Sequence, residues 1–157
     1  MDFHLDEIDR KILSALQEDA TLPVAVVAER AGVTATPCWR RIQKLEAAGV
    51  IKGRVALLDP EKMNVGVTVF VSIRTNQHNL DWAERFCAAV SGIPEVVEFY
   101  RMSGDVDYLL RVVVPDIAAY DGVYKRLIKV AELFDVSSSF AMEQIKYTTA
   151  LPTRYAR

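Results

Sequence analysis

Apolar residues recur with two different periods along this chain, and the period changes shortly after residue 49. Before that point the spacing is helical. Ile8, Ile12, Leu13 and Leu16 form one stripe over residues 6–18, with Asp6 and Asp9 near the helix's positive end. Val24, Val27, Ala28 and Ala31 mark a second helix that starts near Pro23. Gly32 makes a turn and Val33 plugs the core. A third helix carries Cys38, Ile42, Leu45 and Ala48 as its buried stripe. It starts either with Thr34 as cap or at Thr36 with Pro37 in the first helical position, and Gly49 supplies a left-handed stop. Two helices joined by so short a Gly-containing turn have the spacing of a helix-turn-helix. Val50-Ile51 and Val55-Ala56-Leu57-Leu58 then flank Lys52-Gly53-Arg54, which predicts a small strand pair, a wing with a cationic tip. Asp59-Pro60 breaks it, and residues 59–64 are the linker candidate.

The rest alternates between periods. Val65, Val67, Val69, Val71 and Ile73 read as a strand; Leu80, Ala83, Phe86, Cys87 and Val90 as a helix ended by Gly92 and Pro94. Residues 95–102 and 107–114 are two further strands around a turn at Ser103-Gly104-Asp105-Val106. Ile117, Tyr120, Val123, Tyr124, Leu127 and Ile128 form a helix, and residues 136–148 a last extended stretch. The order β-α-β-β-α-β is that of a ferredoxin-like sandwich. The chain is therefore read as α+β: a winged helix-turn-helix over residues 1–58, a linker at 59–64 and a ferredoxin-like domain over 65–157. One sheet with both helices on one face leaves the other face bare. Its Val- and Phe-rich strands predict a dimer interface there.

Charge changes the picture of the third helix. Residues 34–54 hold five cations (Arg40, Arg41, Lys44, Lys52, Arg54) against Glu46, a local +4; residues 1–33 hold three cations against seven acids, a local −4. The whole chain has a net charge of −2, so contact with nucleic acid must come from this patch alone. Thr34, Thr36, Pro37, Trp39, Arg40, Arg41, Gln43 and Lys44 on the helix, with Lys52 and Arg54 on the wing, are the candidate DNA-binding residues. Two of them carry alternatives. Arg41 borders the buried stripe and is a structural or phosphate anchor; Trp39 faces DNA or packs on the rest of the protein.

At 157 residues and 51% hydrophobic, the chain suits one medium folded domain or two small ones. Cys38 and Cys87 lie in apolar helical patterns, as reduced core thiols do. His4 and His78 have no second ligand nearby in the pattern, so no metal site is expected. Residues 1–6 are acidic without an apolar signal core, and no apolar run reaches the roughly 18 residues of a membrane span, which predicts a soluble cytoplasmic protein. There is no nucleophile elbow, phosphate loop or dinucleotide fingerprint. A dimeric ferredoxin-like enzyme would leave the first 58 residues without a purpose; a DNA-organising protein indifferent to effectors is the other alternative.

The residues Leu5-Asp6-x-x-Asp9-x-x-Ile12-Leu13, Thr36-Pro37-Cys38, Arg41-Ile42-x-x-Leu45-Glu46-x-x-Gly49-Val50-Ile51, Ser103-Gly104-Asp105-x-Asp107-Tyr108-Leu109-Leu110 and Val114-Pro115-Asp116 resemble the Lrp/AsnC (feast/famine) transcription regulators. The resemblance covers nearly the whole chain in order. It implies double-stranded DNA as partner, dimers formed through the sheet and commonly rings of four dimers (an octamer). It also implies a small amino-acid effector, and no other cofactor, bound between dimers. The effector site would comprise Met102, Gly104, Asp105, Val106 and Asp107, faced by Ser137, Ser138, Ser139 and Phe140 of a neighbouring dimer. Read without the resemblance, the first group is an ordinary hairpin turn and the second a polar strand face. An α-amino acid suits the turn, where carbonyls or Asp107 can accept from an ammonium and N–H groups can meet a carboxylate. Leu22-Pro23 departs from the family, in which a Ser cap commonly precedes the second helix.

Overall fold

The structure, a computed structural model, describes residues 4–130 and 135–156. The chain divides into two compact units: residues 1–56 with 146–157, and residues 57–145.

The first unit is built on three helices, α1 (Glu7–Glu18), α2 (Val24–Ala31) and α3 (Ala35–Ala47). Their stripes meet in one core around Ile12, Val27, Cys38, Ile42 and Leu45. Pro23 stands at the start of α2 without a side-chain cap; its carbonyl accepts from the Val26 and Val27 N–H groups. Thr34 occupies the cap position of α3 but its side chain accepts no helix N–H, so Thr36 and Pro37 lie inside the first turn. Gly32 (φ 75°) and Gly49 (φ 73°) take the left-handed conformation that ends α2 and α3. Ala48, expected in the stripe, is exposed just past the last turn.

The wing is a correction. Residues 50–58 form no strand. The Val50 and Ile51 N–H groups both donate to the Leu45 carbonyl, at 3.0 and 3.2 Å, in a cap that satisfies the end of α3. Donors used on a helix terminus are lost to a hairpin ladder. Residues 59–64 form a closed turn: the Met63 N–H reaches the Asp59 carbonyl and Asn64 adopts φ 54°.

In the second unit β1 (Val67–Arg74), β2 (Val96–Arg101), β3 (Tyr108–Val114) and β4 (Asp135–Phe140) form an antiparallel sheet in the order β2-β3-β1-β4. Helices α4 (Leu80–Ser91) and α5 (Ile117–Val130) cover one face. Val69, Val71, Ile73, Leu110 and Val112 point to them, against Phe86, Val90, Val123 and Leu127. Leu80 and Ile117, expected in the helical stripes, begin their helices in solvent. The open face also differs from expectation. The Val residues of β1 face the helices, whereas Phe70, Ser72, Leu109, Arg111, Glu98 and Tyr100 occupy registered positions on the other side. An Arg111–Glu98 ion pair (2.9 Å) lies among them. That face is mixed, as the surfaces of reversible interfaces are. Strand β4 ends at Phe140, short of the predicted residue 148.

The last stretch departs furthest from its predicted place in the 65–157 domain. Residues 146–157 belong to the first unit. A short 3₁₀ turn, Thr153–Tyr155, lies against α1, and Ala156 packs on the three-helix core.

Candidate DNA-contacting helix and effector turn

The exposed side of α3 sorts the candidate residues by what holds them. Thr34, Thr36, Pro37, Arg40, Gln43 and Lys44 are exposed, and Trp39 keeps 52% of its surface. The buried Cys38, Ile42 and Leu45 on the opposite stripe fix which way this face points. Cys38 is fully buried, and desolvation pushes its thiol upward, so it stays a neutral core group.

Arg41 belongs elsewhere. Its guanidinium Nη1 donates to Asp6 Oδ2 at 2.6 Å and Asp9 Oδ1 at 2.8 Å. The remaining oxygens form a reciprocal cap of α1: Asp6 Oδ1 accepts the Asp9 N–H (2.8 Å) and Asp9 Oδ2 the Asp6 N–H (3.2 Å). Every carboxylate oxygen of the pair is thereby engaged. The Asp9 N–H bond and the Arg41 guanidinium hold the Asp6 carboxyl below its usual range, and the two acids raise Arg41. Of the two readings left open, the structural anchor is the one whose contacts are present. Arg54 is similarly held, with Nη2 2.9 Å from Glu46 Oε1; Gln43 donates to the other Glu46 oxygen at 3.2 Å. Lys52 is exposed on the segment that follows.

In the second unit, residues 102–107 close the β2–β3 hairpin. The Met102 N–H donates to the Asp107 carbonyl (2.8 Å), and Gly104 takes φ 109°, which a side chain would strain. Met102, Gly104 and Asp105 are exposed, Val106 and Asp107 half-buried. Asp107 also reaches across to the end of β1. Its N–H donates to the Ile73 carbonyl (3.0 Å), and its Oδ2 accepts the Thr75 N–H (2.8 Å). Thr75 Oγ1 in turn accepts from Gln77. One carboxylate oxygen is thus fixed in the scaffold. That link across 32 residues left no sequence signal.

The serine group divides. Ser138 pairs with Val71 on the helix-facing side and its hydroxyl bonds the Tyr120 phenol, whose ring meets Phe140 edge-on. Burial raises the Tyr120 phenol above its ordinary value. Ser137 and Ser139 pair with Ser72 and Phe70 and so take the open face. Strand period alone required this split. Within one chain the turn and β4 are not brought together: β3 and β1 lie between β2 and β4. Among the described residues no cluster of three or more His, Cys, Asp or Glu could hold a metal ion, and no helix is long and apolar enough to cross a membrane.

A helix-turn-helix with a basic exposed face, followed by a β-α-β-β-α-β unit, defines a DNA-binding regulator with a ligand-sensing domain. Residues 5–46 match the AsnC-type helix-turn-helix domain and residues 68–151 the Lrp/AsnC ligand binding domain. The chain is 54% identical over 149 residues to the DNA-binding transcriptional activator DecR of Escherichia coli K12, covering 94% of this chain and 98% of DecR. The crystal structure of an AsnC family transcriptional regulator from Agrobacterium tumefaciens superposes with a TM-score of 0.93 at 68% identity, over 96% of this chain and 99% of that one. A transcriptional regulator from Neisseria meningitidis, solved as an L-Met complex, gives 0.90 at 35% identity, over 96% and 98%. The chain belongs to the Lrp/AsnC family of transcriptional regulators.

Two expected outcomes follow from the Asp6–Asp9–Arg41 network. Arg41→Ala leaves the 8%-exposed Asp9 without its cation and should cost about 1–3 kcal/mol in urea unfolding, whereas Arg40→Ala should stay within about 0.5 kcal/mol. Equal losses would contradict the assignment of roles. For pH, Asp6 is lowered in the folded state, so its contribution is present above the unfolded value and is lost as pH falls through the folded one. Melting of the first unit should steepen in its decline below about pH 4, and Asp6→Asn should flatten that part of the curve.

Proposed function

We propose that α3 enters the DNA major groove with Thr34, Thr36, Pro37, Trp39, Arg40, Gln43 and Lys44 on the contacting face, while Lys52 meets the phosphate backbone. Arg41 and Arg54 act behind them, as supports bound to acids of their own unit. The observation that carries this reading is the sorting of neighbours on one helix: Arg41 is turned onto Asp6 and Asp9, and Arg40 stands in solvent beside half-exposed Trp39. Arg40 can pair bidentately with guanine or meet phosphate, and Trp39 offers apolar area to a thymine methyl or sugar.

The protein acts in the cytoplasm as a non-catalytic regulator, assembled through the open sheet face into dimers and a tetramer of dimers. Its effector is a small amino acid, bound at Met102, Gly104, Asp105, Val106 and Asp107. The exposed carbonyls and N–H groups around Gly104 suit its ammonium and carboxylate. Ser137 and Ser139 face it from a neighbouring dimer; Ser138 and Phe140, both against Tyr120 on the helix-facing side, shape that strand from within. The Neisseria relative's L-Met complex supports an apolar, sulfur-bearing side chain as the first candidate. Coupling of about 1–3 kcal/mol would change DNA affinity five- to 150-fold.

For DNA, Arg40→Ala should weaken binding to a selected duplex and lower the slope of log affinity against log salt by about one if it contacts phosphate. Lys52→Ala should act more weakly, and wild-type binding without sequence preference would favour a DNA-organising role. For the effector, a thermal-shift screen of the amino acids should give a ligand-dependent rise in melting temperature. Asp107→Asn removes one acceptor charge but keeps an oxygen for Thr75, so it should fold normally and lose that rise. A full shift in this variant would place the ligand elsewhere.

A further inference from the structure

We propose that residues 151–156 form a releasable strap that gives the helix-turn-helix a second tether, through which β4 acts on α1. The strap is held by three side chains of one helix. Gln17 Nε2 donates to the Leu151 carbonyl at 3.0 Å, while its Oε1 accepts the Leu151 N–H at 2.7 Å. Ser14 Oγ lies 3.1 Å from Thr153 Oγ1. Arg10 Nη2 donates to the Ala156 carbonyl at 2.8 Å. Residue numbers fall along α1 as they rise along the strap, so the two run antiparallel. Positions 10, 14 and 17 share one helical stripe and span about 10 Å of axis, at 1.5 Å per residue. Within the strap, Thr153–Tyr155 form a 3₁₀ turn between the Gln17 and Arg10 contacts. The three contacts follow one another along α1, and Ala156 closes the series on the core.

The strap is weakly fixed. The Gln17 and Ser14 bonds are exposed, where water can replace them, and Leu151 and Tyr155 remain largely in solvent. Such segments open at the low end of the local stability range. Ten residues, 141–150, connect the strap to Phe140 at the end of β4, and none of them is in a helix or strand. The first unit is thus joined to the second at two places in the chain, after Ala56 and before Lys146. The second joint continues directly from the strand whose Ser138 is tied to Tyr120 and whose outward serines belong to the proposed effector wall. The proposed route runs from β4 through residues 141–150 to the strap on α1 and does not pass through residues 57–66. This regulatory role rests on the reading of DNA binding and effector sensing given above; the strap's dependence on β4 does not.

The test is hydrogen exchange on the full chain, read for peptides covering residues 146–156, α1, α3 and the sheet, in wild type, Ser14→Ala/Gln17→Ala and Tyr120→Phe. The double alanine variant should raise exchange in 146–156 at least tenfold and leave α3 and the sheet unchanged. Tyr120→Phe, which removes the phenol bonded to β4, should change exchange in 146–156 at least threefold. No change in 146–156 in either variant overturns the proposal. Affinity for a selected duplex is then measured with and without saturating L-methionine. The double alanine variant should bind DNA within twofold of wild type while its response falls to less than a third; a full response overturns the regulatory role. Wild type showing no DNA binding, or no response to any of the twenty amino acids, refutes the functional reading and with it the regulatory role. The exchange results still decide whether β4 controls the strap.

Discussion

The arrangement of the DNA-binding unit depends on one buried charge and how it is neutralised. Asp9 is enclosed where α1 begins, and a carboxylate there must be met by a cation and by N–H groups. Arg41 comes from α3 to meet it, and Asp6 completes the ring by capping α1 and receiving the same guanidinium. The first helix is thus tied to the third at a defined rotation. Nine fully or nearly buried apolar side chains make a small core. In so small a unit, polar closures of this kind carry a larger share of the folded geometry than they would in a large domain. The same tie decides the chemistry of the exposed face: with Arg41 turned inward, Arg40 and Lys44 are left as the helix's outward cations.

The second unit is organised by a different constraint. A four-stranded sheet covered on one side must distinguish its faces, and strand alternation does this along β1 and β3. Its hairpin turn is held from outside the hairpin by the Asp107 bonds to Ile73 and Thr75. An amino-acid site placed there would sit on a rigid support and not on a floppy loop, as precise recognition of ammonium and carboxylate requires. The fold alone does not supply that rigidity, since sandwiches of this type host many unrelated activities; the Asp107 bonds do.

Most of the architecture was legible because it follows from periodicity. The helical stripes located α1 to α5, alternation located β1 and β3, and the switch between periods divided helix-turn-helix from sandwich. What escaped had causes that periodicity does not carry. Charge counting gave the sign around α3 but could not show that Arg41 and Arg54 already face acids 32 and eight residues away. The wing failed because backbone donors at Val50 and Ile51 had a nearer acceptor in Leu45. The serine split at residue 138 was within reach of strand period, yet taking the three serines as one wall overrode it. The place of residues 146–157 left no trace, since contacts made through a backbone carbonyl or a small side chain have no apolar pattern.

The return of those residues to α1 makes the sandwich, in topological terms, an insertion within the DNA-binding unit. A ribosome releases the three helices early but supplies their last supporting segment only after residues 57–145 have been made. Nascent domains generally mature in the order of their synthesis. Here the order is nested: residues 57–145 are made between two segments of the same unit. A chain cut within the sandwich would still carry the three helices but not the segment that returns to α1.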